Sequence, residues 1–388
     1  MISKKKVALF FPYFIRGGSD VVVAQTIEAL KATYDISLIT CDTYEQIEML
    51  NAFCGTNILP QDISIIHPPF SSLLRKIPGL GLLKYHLMVR YFKLSKMHFD
   101  VLVGMYKEID FGRIGLQCIH VPELDKADQK ASESAVRYYQ NYFFGKMYKN
   151  ICYAISGFNN ERMKKNTTIV DSFWAKSMVK KILGLDGVVI YPPVTSVFPH
   201  ISFEKKEHSF VYLGRITPVK EVDKLIRIVG KVREKVPSIR LHIGGAFDAL
   251  NMDYGRSIKN MCDQNNEWCF FDGQINHEKK AYFLASYQYG ISGCVNEAFG
   301  IAIVEMVKAG SLVFVPEGGG QVEIVNSPSL MYKDEDDAVA KITNVLGNEV
   351  LCRNLLSHLD EQGKRFSLNQ FQGDIRGIIV DFLEKHGK

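Results

Sequence analysis

Short apolar runs alternate with segments of helical periodicity along most of this chain. The run from Val7 to Ile15 leads into a helix after Gly18, and three more strand-like runs follow, the last two after a less regular stretch: DISLITCD (35–42), DVLVGMY (100–106) and GLQCIHV (115–121). Apolar runs of this length, separated by helices, are typical of parallel β-α-β units. The first half of the chain is therefore predicted to form a parallel sheet covered by helices.

A second set of the same units begins after a break. The sequence VVIYPPV (188–194) ends the first set, because Pro192 and Pro193 lack an amide donor and extend the backbone. Residues 195–208 have the pattern of a linker. Five strand-like runs follow, with helices predicted at 221–235, at 277–287 and from about Gly300: SFVYLGRI (209–216), IRLHIGG (239–245), WCFFDGQI (268–275), YGISGCV (289–295) and SLVFVPEGGG (311–320).

Two sets of units predict two domains. A chain of 388 residues is too long for one ordinary α/β core. We predict an α/β fold of two doubly wound parallel-sheet domains, over residues 1–200 and 201–368, with an amphipathic helix over residues 369–388. Ligands bind at the carboxyl ends of the strands in such sheets, so the crevice between the domains is the expected site.

Composition narrows the class of protein, and charge suggests a partner. With 47% hydrophobic and 23% charged residues the chain has ordinary globular composition, which excludes the disordered and fibrous classes. Residues 1–200 contain 24 Lys and Arg against 17 Asp and Glu, whereas residues 201–388 contain 23 against 25. The basic first half favours an anionic partner for the first domain, although an incidentally basic surface explains it equally well.

Cysteine spacing and hydropathy bear on the compartment. The eight cysteines form no Cys-x-x-Cys pair and no Cys/His ligand spacing, so a reduced cytoplasmic chain without structural zinc is the simplest interpretation. The basic N-terminus runs into Arg16-Gly17-Gly18 without a small-residue cleavage pattern and is better interpreted as a first buried strand. No apolar run approaches the roughly 20 residues that span a bilayer, so any membrane association is expected to be peripheral.

One stretch has the character of a membrane-surface segment. Residues 63–99 contain no acid but six basic residues among many leucines and aromatics: Arg75, Lys76, Lys84, Arg90, Lys93 and Lys96. A basic and apolar amphipathic surface binds anionic lipid headgroups. We therefore predict that residues 72–98 contact an anionic membrane; a helix packed on its own domain, with a solvated basic face, is the alternative. Nucleic acid is not an expected partner, because no nucleic-acid-binding module is recognisable.

Two carboxylates flank a turn into an apolar helix in the second half. In the stretch EAFGIAIVE, Glu297 and Glu305 lie at the mouth of a predicted βα unit. A carboxylate is costly to bury without hydrogen-bond donors or a cation. Sugar hydroxyls supply such donors, and the free amides at the helix start would hold a phosphate. The segment therefore predicts a nucleotide-sugar site.

Basic residues follow another strand of the same half. Arg215 comes directly after Gly214 at a strand end, and Lys220 lies five residues further on. A guanidinium and an ammonium at that position could converge on the two phosphates of a nucleotide diphosphate and stabilise the charge of that leaving group. A solvated pair on a βα loop is the alternative, but both residues share the carboxyl edge with Glu297 and Gly318-Gly319-Gly320.

Two candidates come from the first domain. Gly17 and Gly18 lie where the first strand passes into the first helix, so the backbone could approach an anionic ligand, or simply form a tight turn. No Gly-x-Gly-x-x-Gly fingerprint is present; Asp42, near where a ribose-binding acid would lie, keeps an NAD-dependent enzyme as a minor option. His120, in the strand-end sequence CIHVP, is interpreted equally well as a core residue or as a catalytic one.

Taken together, these motifs resemble the retaining glycosyltransferases of family 4. The resemblance covers most of the chain and is densest from residue 209 to 326, where it rests on GRITPVK, on the Glu-x7-Glu element and on PEGGGQVEIV. The pieces GGSD, QCIHVP, DSFWAKSMV and VIYPPV are weaker matches in the same order. The resemblance implies the GT-B fold, which consists of two Rossmann-like domains with a cleft between them and a C-terminal helix that crosses back to the first domain.

The resemblance also implies roles for the second-domain candidates. Arg215 and Lys220 would bind the donor diphosphate, next to Gly214. The backbone amides near Phe299, Gly300 and Ile301 would assist them, and Glu305 would accept the ribose hydroxyls. Glu297 would hold hydroxyls of the transferred sugar.

In the first domain, His120 matches a histidine that contacts the donor sugar at the reaction centre, and Gly17 and Gly18 match the donor-binding glycine pair. The expected reaction is front-face attack with retention, without a metal, a cofactor or a carboxylate nucleophile. Three departures concern neighbouring positions: Asp20 replaces a common glutamate, Asp171-Ser172 stands where Asn-Ser is frequent, and Gly293-Cys294 stands where Pro-Ser is typical.

The resemblance predicts transfer of a sugar from a nucleotide-diphosphate sugar, GDP-mannose or a UDP-sugar, to a glycan acceptor. The basic and apolar first domain favours a lipid-linked or membrane-surface acceptor. The sequence segments VIYPPV and IHVP favour a mannosyltransferase-like enzyme. A nucleotide-sugar epimerase of the same fold and a non-catalytic partner subunit stay open as alternatives. The protein is expected in the cytoplasm, as a peripheral protein on the cytoplasmic face of a membrane.

Overall fold

The structure is a computed structural model that describes residues 4–14, 17–69, 71–76, 80–120, 142–248 and 251–387, with the side chains of residues 75, 76 and 142–145 left out. The described residues divide into two compact units. The first unit comprises the described residues up to 195 together with 368–387, and the second comprises residues 196–367. Each unit has its own parallel sheet.

The first unit is built on seven described strands and seven described helices, before the C-terminal helix is added. The strands are β1 (Lys6–Phe10), β2 (Asp35–Ile39), β3 (Ile63–Ile66), β4 (Val101–Gly104), β5 (Leu116–Cys118), β6 (Thr167–Val170) and β7 (Gly187–Val189). The helices are α1 (Gly18–Leu30), α2 (Tyr44–Cys54), α3 (Ser71–Lys76), α4 (Gly81–Leu94), α5 (Tyr142–Ser156), α6 (Asn160–Met163) and α7 (Phe173–Leu183).

The strands of the first unit form one parallel sheet in the order β3-β2-β1-β4-β5-β6-β7. The central strands are buried on both faces, which is why their sequences are continuous apolar runs rather than alternating ones. Strand order reverses between β1 and β4, and in open α/β sheets ligands bind outside the carboxyl ends of the strands at that point.

The second unit repeats this architecture. Its strands are β8 (Glu207–Leu213), β9 (Arg240–Gly244), β10 (Cys269–Gly273), β11 (Tyr287–Ile291), β12 (Leu312–Pro316) and β13 (Met331–Tyr332). Its helices are α8 (Val222–Arg233), α9 (Met252–Gln264), α10 (His277–Ala285), α11 (Ile301–Lys308), α12 (Val322–Val325), α13 (Glu335–Leu346) and α14 (Glu349–Lys364).

The six strands form a parallel sheet in the order β10-β9-β8-β11-β12-β13, with the reversal between β8 and β11. The last helix, α15 (Leu368–His386), belongs to the first unit, where it packs on α1. Its apolar side chains join the core beneath that helix: Phe371, Ile375, Ile378, Ile379 and Phe382. The predicted fold class, two doubly wound parallel-sheet domains, is confirmed.

The stretch between residues 43 and 100 is more regular than its sequence indicated. It contains α2, β3, α3 and α4. Helix α2 begins with a capping box at Thr43 and Gln46 and ends at Gly55, which has a φ of 65° that favours glycine. Local capping therefore defines a helix whose apolar pattern alone was weak.

The predicted basic surface over residues 72–98 is only partly present. Lys84 is buried, at 6% exposure, and its ammonium lies 5.2 Å from the centroid of the Tyr13 ring. Lys93 is turned inward and forms an ion pair of 2.9 Å with Asp110. The interpretation of both lysines as surface residues is wrong, because each packs its long aliphatic stem within the unit and finds an internal partner.

Other residues of that stretch are exposed. Arg90 and Lys96 face solvent, as do the apolar side chains of Leu73 and Leu94, at 57% and 67% exposure. The side chains of Arg75 and Lys76 and the whole of residues 77–79 lie outside the described residues. An exposed apolar and basic region therefore remains around α3 and the end of α4.

Within the described ranges, the helices are too short or too polar to cross a bilayer. The same part of the chain contains no cluster of three His, Cys, Asp or Glu side chains arranged as metal ligands.

Candidate functional site

The second-unit candidates meet at the switch point of their sheet. Strand β8 leads into the loop that carries Gly214, Arg215 and Lys220, and the neighbouring strand β11 leads into the loop that carries Glu297. Because β8 and β11 are adjacent and parallel, both loops leave the sheet at the same edge. The sheet topology therefore brings together basic and acidic residues that are 77 positions apart in the sequence.

Lys220 and Glu297 form a direct ion pair at this edge. Their side chains are 24% and 21% exposed, so the pair is half-buried but open to a ligand. Burial alone would lower the pKa of Lys220, yet the charge and hydrogen bond of Glu297 raise it above the ordinary value of 10.5. The ammonium is thus held in its charged form, as a phosphate-binding cation requires.

Arg215 lies beside this pair with most of its side chain in solvent, at 69% exposure. Its guanidinium is 3.7 Å from the carboxylate of Asp248, a distance that holds it only loosely. The hydroxyl of Tyr212 donates a 3.0 Å hydrogen bond to the Arg215 carbonyl. The backbone of Arg215 is therefore anchored, while its head group is able to turn toward an anion.

Glu305 lies on helix α11 and is 5% exposed. One of its oxygens, Oε1, accepts hydrogen bonds from Lys280 Nζ at 2.5 Å and from Ser196 Oγ at 3.0 Å. Its other oxygen makes no hydrogen bond to the residues that the structure describes. A carboxylate held in this way by one oxygen presents the other to hydroxyl groups.

The start of α11 depends on a glycine. Gly300 has a φ of 108° and precedes Ile301, the first residue of the helix. A side chain at this position would be strained by that φ, and its Cβ would lie 2.7 Å from the side chain of Ile303. The first-turn amides of a helix lack intrahelical acceptors, which makes this terminus suited to a phosphate.

Phe299, just before the glycine, contributes only its backbone to this edge. Its side chain is 2% exposed and its ring lies 5.4 Å from that of Phe366, measured between centroids. The buried ring anchors the turn that presents the helix start.

The loop after β12 holds the Glu297 loop in place. The amide of Gly320 donates to the Glu297 carbonyl at 2.7 Å, and a Cβ on Gly319 would lie 2.5 Å from the same oxygen. The buried side chain of Gln321 donates to the Cys294 carbonyl at 2.6 Å. Gly319 is therefore a close-packing requirement, since only the absence of a side chain there lets the two loops approach.

In the first unit, Gly17 and Gly18 form the start of helix α1. Gly17 is the N-cap residue, and its amide donates to the carboxylate of Asp20 at 3.1 Å. Asp42 accepts the Phe14 amide at 2.5 Å and is 2% exposed, so its carboxylate supports the loop after β1. This engagement removes the reason for considering Asp42 as a ribose-binding acid.

His120 lies at the carboxyl edge of the first sheet, just beyond β5. Its Nδ1 is 2.8 Å from Asp171 Oδ2, and the two side chains are 23% and 13% exposed. Burial would lower the pKa of His120, but the charge and hydrogen bond of Asp171 raise it above its usual value. His120 is therefore a largely buried polar side chain at the sheet edge with a carboxylate partner, which fits both the core and the catalytic interpretation.

The structure thus places the predicted residues in two groups. Those of the second unit meet at one sheet edge: Gly214, Arg215, Lys220, Glu297, Phe299, Gly300, Ile301 and Glu305. Gly17, Gly18 and His120 lie at the corresponding edge of the first unit. Sequence reasoning missed Lys280, Ser196 and Gln321, because no local pattern marks a helix surface lysine, a linker serine or a loop glutamine as the partner of a distant group.

A protein-family model matches the chain over almost the whole second unit. Residues 196–366 match the family described as glycosyl transferases group 1. The match includes the β8 loop, Glu297, Glu305 and the glycine loop. It therefore contains the whole second-unit site.

The chain also has a distant human relative. GDP-Man:Man(3)GlcNAc(2)-PP-Dol alpha-1,2-mannosyltransferase from Homo sapiens is 25% identical over 203 residues. The alignment covers 47% of this chain and 41% of the human protein, so the chain spans less than half the length of that relative.

Solved structures resemble the chain along nearly its whole length. Anabaena HepE in complex with UDP and glucose matches with a TM-score of 0.69 at 13% identity, covering 97% of this chain and all of that one. Sucrose-phosphate synthase from Thermosynechococcus elongatus matches with a TM-score of 0.70 at 16% identity, covering 98% and 100%. WaaG, a glycosyltransferase involved in lipopolysaccharide biosynthesis, matches at 0.67 and 14%, covering 96% and 99%. At these identities the likeness shows the fold, which is the GT-B fold expected from the sequence.

Proposed function

We propose that this chain transfers a sugar from a nucleotide-diphosphate sugar to a glycan acceptor, a function supported by the match of residues 196–366 to the glycosyl transferases group 1 family. The observation that carries this proposal is the ion pair of Lys220 and Glu297 at the switch point of the second sheet, beside the start of α11. It combines a cation for phosphate with a carboxylate for sugar hydroxyls.

Each donor group has a complementary partner in this proposal. Lys220 and Arg215 bind the diphosphate, and the amides at the start of α11 add hydrogen bonds to it. Glu297 accepts hydrogen bonds from the transferred sugar, and the open oxygen of Glu305 accepts them from the ribose. Cations placed at the leaving diphosphate stabilise the charge that develops as the glycosidic bond breaks.

The proposed chemistry is substitution with retention, without a metal or an organic cofactor. The bond between the anomeric carbon and the diphosphate oxygen breaks, and the acceptor oxygen forms its bond to the same face of that carbon. The acceptor proton passes to the leaving phosphate oxygen. Preorganised cations at the leaving group supply the electrostatic stabilisation that the reaction needs.

The proposed donor is GDP-mannose or a UDP-sugar. The name of the human relative refers to a GDP-mannose-dependent reaction, and the Anabaena structures contain UDP or UDP-glucose. These ligands and reactions belong to those proteins. They indicate GDP-mannose and UDP-sugars as the first compounds to test as donors.

The test is a thermal-stability screen with UDP-, GDP- and ADP-sugars, followed by transfer assays. A ligand that binds only the folded state raises the unfolding midpoint by mass action. We expect one nucleotide class to raise it in the wild-type protein and to lose that effect in Lys220→Ala. A wild-type protein that no donor stabilises, and that transfers no sugar, would reject the proposal and favour a non-catalytic partner subunit.

Incubation with the donor alone separates a transferase from an epimerase. An epimerase interconverts donors or releases a free epimerised sugar without an acceptor. The transferase is expected to leave the configuration of the donor sugar unchanged in the absence of a glycan. Epimerised sugar in that incubation would replace the first proposal by the second.

Lys280→Met is expected to raise the KM for the donor about 10-fold with little change in kcat, since a charge-assisted hydrogen bond contributes roughly 1.5–3 kcal/mol. The ion pair with Lys280 orients Glu305 for the ribose. Because the ribose is bound equally in the ground state and the transition state, weaker binding raises KM and leaves kcat nearly unchanged. Steady-state kinetics with the identified donor measure it. Lys279→Met, an exposed neighbour on the same helix, is the control and should leave KM unchanged.

The proposed acceptor is a lipid-linked or membrane-surface glycan, reached by peripheral binding to the cytoplasmic face of a membrane. Support comes from the first unit, where Arg90 and Leu94 are exposed one helical turn apart at the end of α4 and Lys96 follows. Cationic and apolar side chains in proximity suit the headgroup region of an anionic bilayer.

Vesicle sedimentation tests this contact. The protein is expected to sediment with vesicles that contain phosphatidylserine but not with phosphatidylcholine alone, and raised ionic strength should release it. The double variant Arg90→Gln with Lys96→Gln should weaken binding about 10-fold or more, because each basic residue contributes about 1 kcal/mol at an anionic surface. Arg256→Gln, an exposed residue of α9 in the second unit, is the control. Equal sedimentation of all variants would identify the region as an ordinary solvated surface.

A further inference from the structure

Asp171 and His120 face each other because of strand register. Strands β5 and β6 pair Leu116 with Thr167 and Cys118 with Ile169. Two residues beyond the second pair, the same register places His120 opposite Asp171. Side chains two positions apart in a strand share a face, and the resulting contact between Nδ1 and Oδ2 measures 2.8 Å.

The carboxylate determines which ring nitrogen carries a proton. A carboxylate only accepts hydrogen bonds, so the contact requires a proton on Nδ1. The other nitrogen, Nε2, is buried and makes no hydrogen bond of ordinary geometry to the residues that the structure describes, although the nearby Met105 carbonyl helps to raise the pKa of the ring. The ring is thus fixed in orientation at one nitrogen, while its second nitrogen has unused hydrogen-bonding capacity.

We propose that Asp171 is a positioning residue that keeps His120 doubly protonated, so that Nε2–H donates a hydrogen bond to an oxygen of the transferred sugar. This inference rests on the proposed function and adds to it that His120 contacts the donor sugar, as the resemblance to family 4 implies. Compensation of charge gives the pair a further role, because a lone imidazolium would oppose the positive charge that develops at the anomeric carbon. Paired with the carboxylate, the donor is close to neutral overall.

Among the described residues, Asp171 is the charged side chain in hydrogen-bond contact with the ring. Burial would by itself lower the pKa of His120, Asp171 raises it, and the Met105 carbonyl adds to that rise. Cys118, on the same strand as His120, has a pKa raised by burial and by Asp171, so it is a neutral thiol. Removing the charge of Asp171 therefore removes the main reason for protonation of the ring.

The first measurement is an NMR titration of the ring in the unliganded protein. The His120 resonances are assigned by their loss in His120→Gln, and in the wild-type protein the ring should titrate above the ordinary value of 6.5. In Asp171→Asn, where the amide oxygen still accepts the Nδ1 proton, the pKa should fall by about one unit or more, as loss of an opposite charge within hydrogen-bond distance does. A wild-type ring that titrates below 6.5 would overturn the inference without any variant.

The second measurement is the pH dependence of kcat/KM for the donor. Activity should fall as pH rises through the pKa of His120, and in Asp171→Asn this alkaline limb should move to lower pH by the same amount as the ring titration. At a pH below both values the variant should regain much of its activity but stay below the wild-type rate, because its imidazolium lacks the compensating carboxylate. Asp186→Asn, an exposed acid paired with Lys176, is the control and should shift neither curve.

Two outcomes would count against the inference. A loss of activity in Asp171→Asn that is equal at every pH would indicate a merely structural role. A ring pKa that shifts as expected in a protein that transfers no sugar would overturn the catalytic part together with the proposed function. The NMR titration and the transfer assay therefore distinguish the two failures.

Discussion

Lys220→Ala is expected to lower kcat for sugar transfer by about 10²- to 10³-fold, the usual effect of removing one preorganised group that stabilises transition-state charge. The ammonium of Lys220 lies at the carboxyl end of β8 and pairs directly with Glu297. Its removal would take a cation from the proposed diphosphate site and leave Glu297 without its counter-charge. Both effects oppose departure of an anion.

Initial rates with a saturating donor measure this change, and the midpoint of thermal unfolding shows whether the fold is intact. Lys231→Ala is a suitable control, because Lys231 lies on the helix that follows the same loop but pairs with Glu335 and Asp336 at the surface. It should retain the wild-type rate. Full turnover by Lys220→Ala would reject the assignment of the diphosphate site.

Asp110→Asn is expected to lower the free energy of unfolding by about 3 kcal/mol, as the loss of one partner of a buried ion pair does. The Asp110 side chain is 1% exposed and accepts hydrogen bonds from Lys93 at 2.9 Å and from both Arg162 Nε and Nη2, at 3.1 and 2.9 Å. It also accepts the amides of Gly112 and Asn159. One carboxylate thus joins α4, the segment after β4 and α6, and an amide side chain cannot satisfy all these donors.

The same carboxylate predicts a dependence of stability on pH. Burial would raise the pKa of Asp110, but the bonds from Arg162 and Lys93 lower it from 3.8 to about 2. A carboxyl group with a depressed pKa stabilises the folded state fully above pH 3.8, and this contribution is lost as pH falls toward 2. The part that depends on pH is about 2 kcal/mol.

Urea unfolding at a series of pH values measures both effects. Asp110→Asn should be less stable than the wild type at neutral pH. As pH falls toward 2, it should not show the loss of stability that protonation of Asp110 causes in the wild type. Glu161→Gln, which alters an exposed acid next to Arg162, is the control and should change stability by less than about 0.5 kcal/mol. A neutral-pH stability of Asp110→Asn equal to that of the wild type would show that the network is dispensable.

Much of the fold was predictable because it depends on local patterns. Buried parallel strands must be apolar along their whole length, so runs such as the one beginning at Val7 mark strands without any tertiary information. The glycines at strand ends and the acidic pair around the α11 turn could also be identified from the sequence, because each lies directly beside one of these apolar segments. Helices with weak patterns, such as α2 and α9, were missed because their buried faces are narrow: α9 buries Gly255, Ile258 and Cys262.

The side-chain pairs of the site were not predictable. Ser196 and Lys280 reach the same oxygen of Glu305 from residues 109 and 25 positions away. His120 meets Asp171 across 51 positions, through a strand register that no local pattern reports. Charge counting also failed at Lys84, which is buried although it lies in the most basic stretch of the chain.

The amino-acid order therefore specified the α/β units, their division into two sets and the chemical types that gather at strand ends. Hydrophobic burial and glycine geometry act between neighbours in the chain, so they leave a periodic trace in the sequence. The partners of Lys220, Glu305 and His120 came from the sheet order and strand register, because ion pairs and hydrogen bonds depend on distances of a few ångströms between residues that only folding brings together.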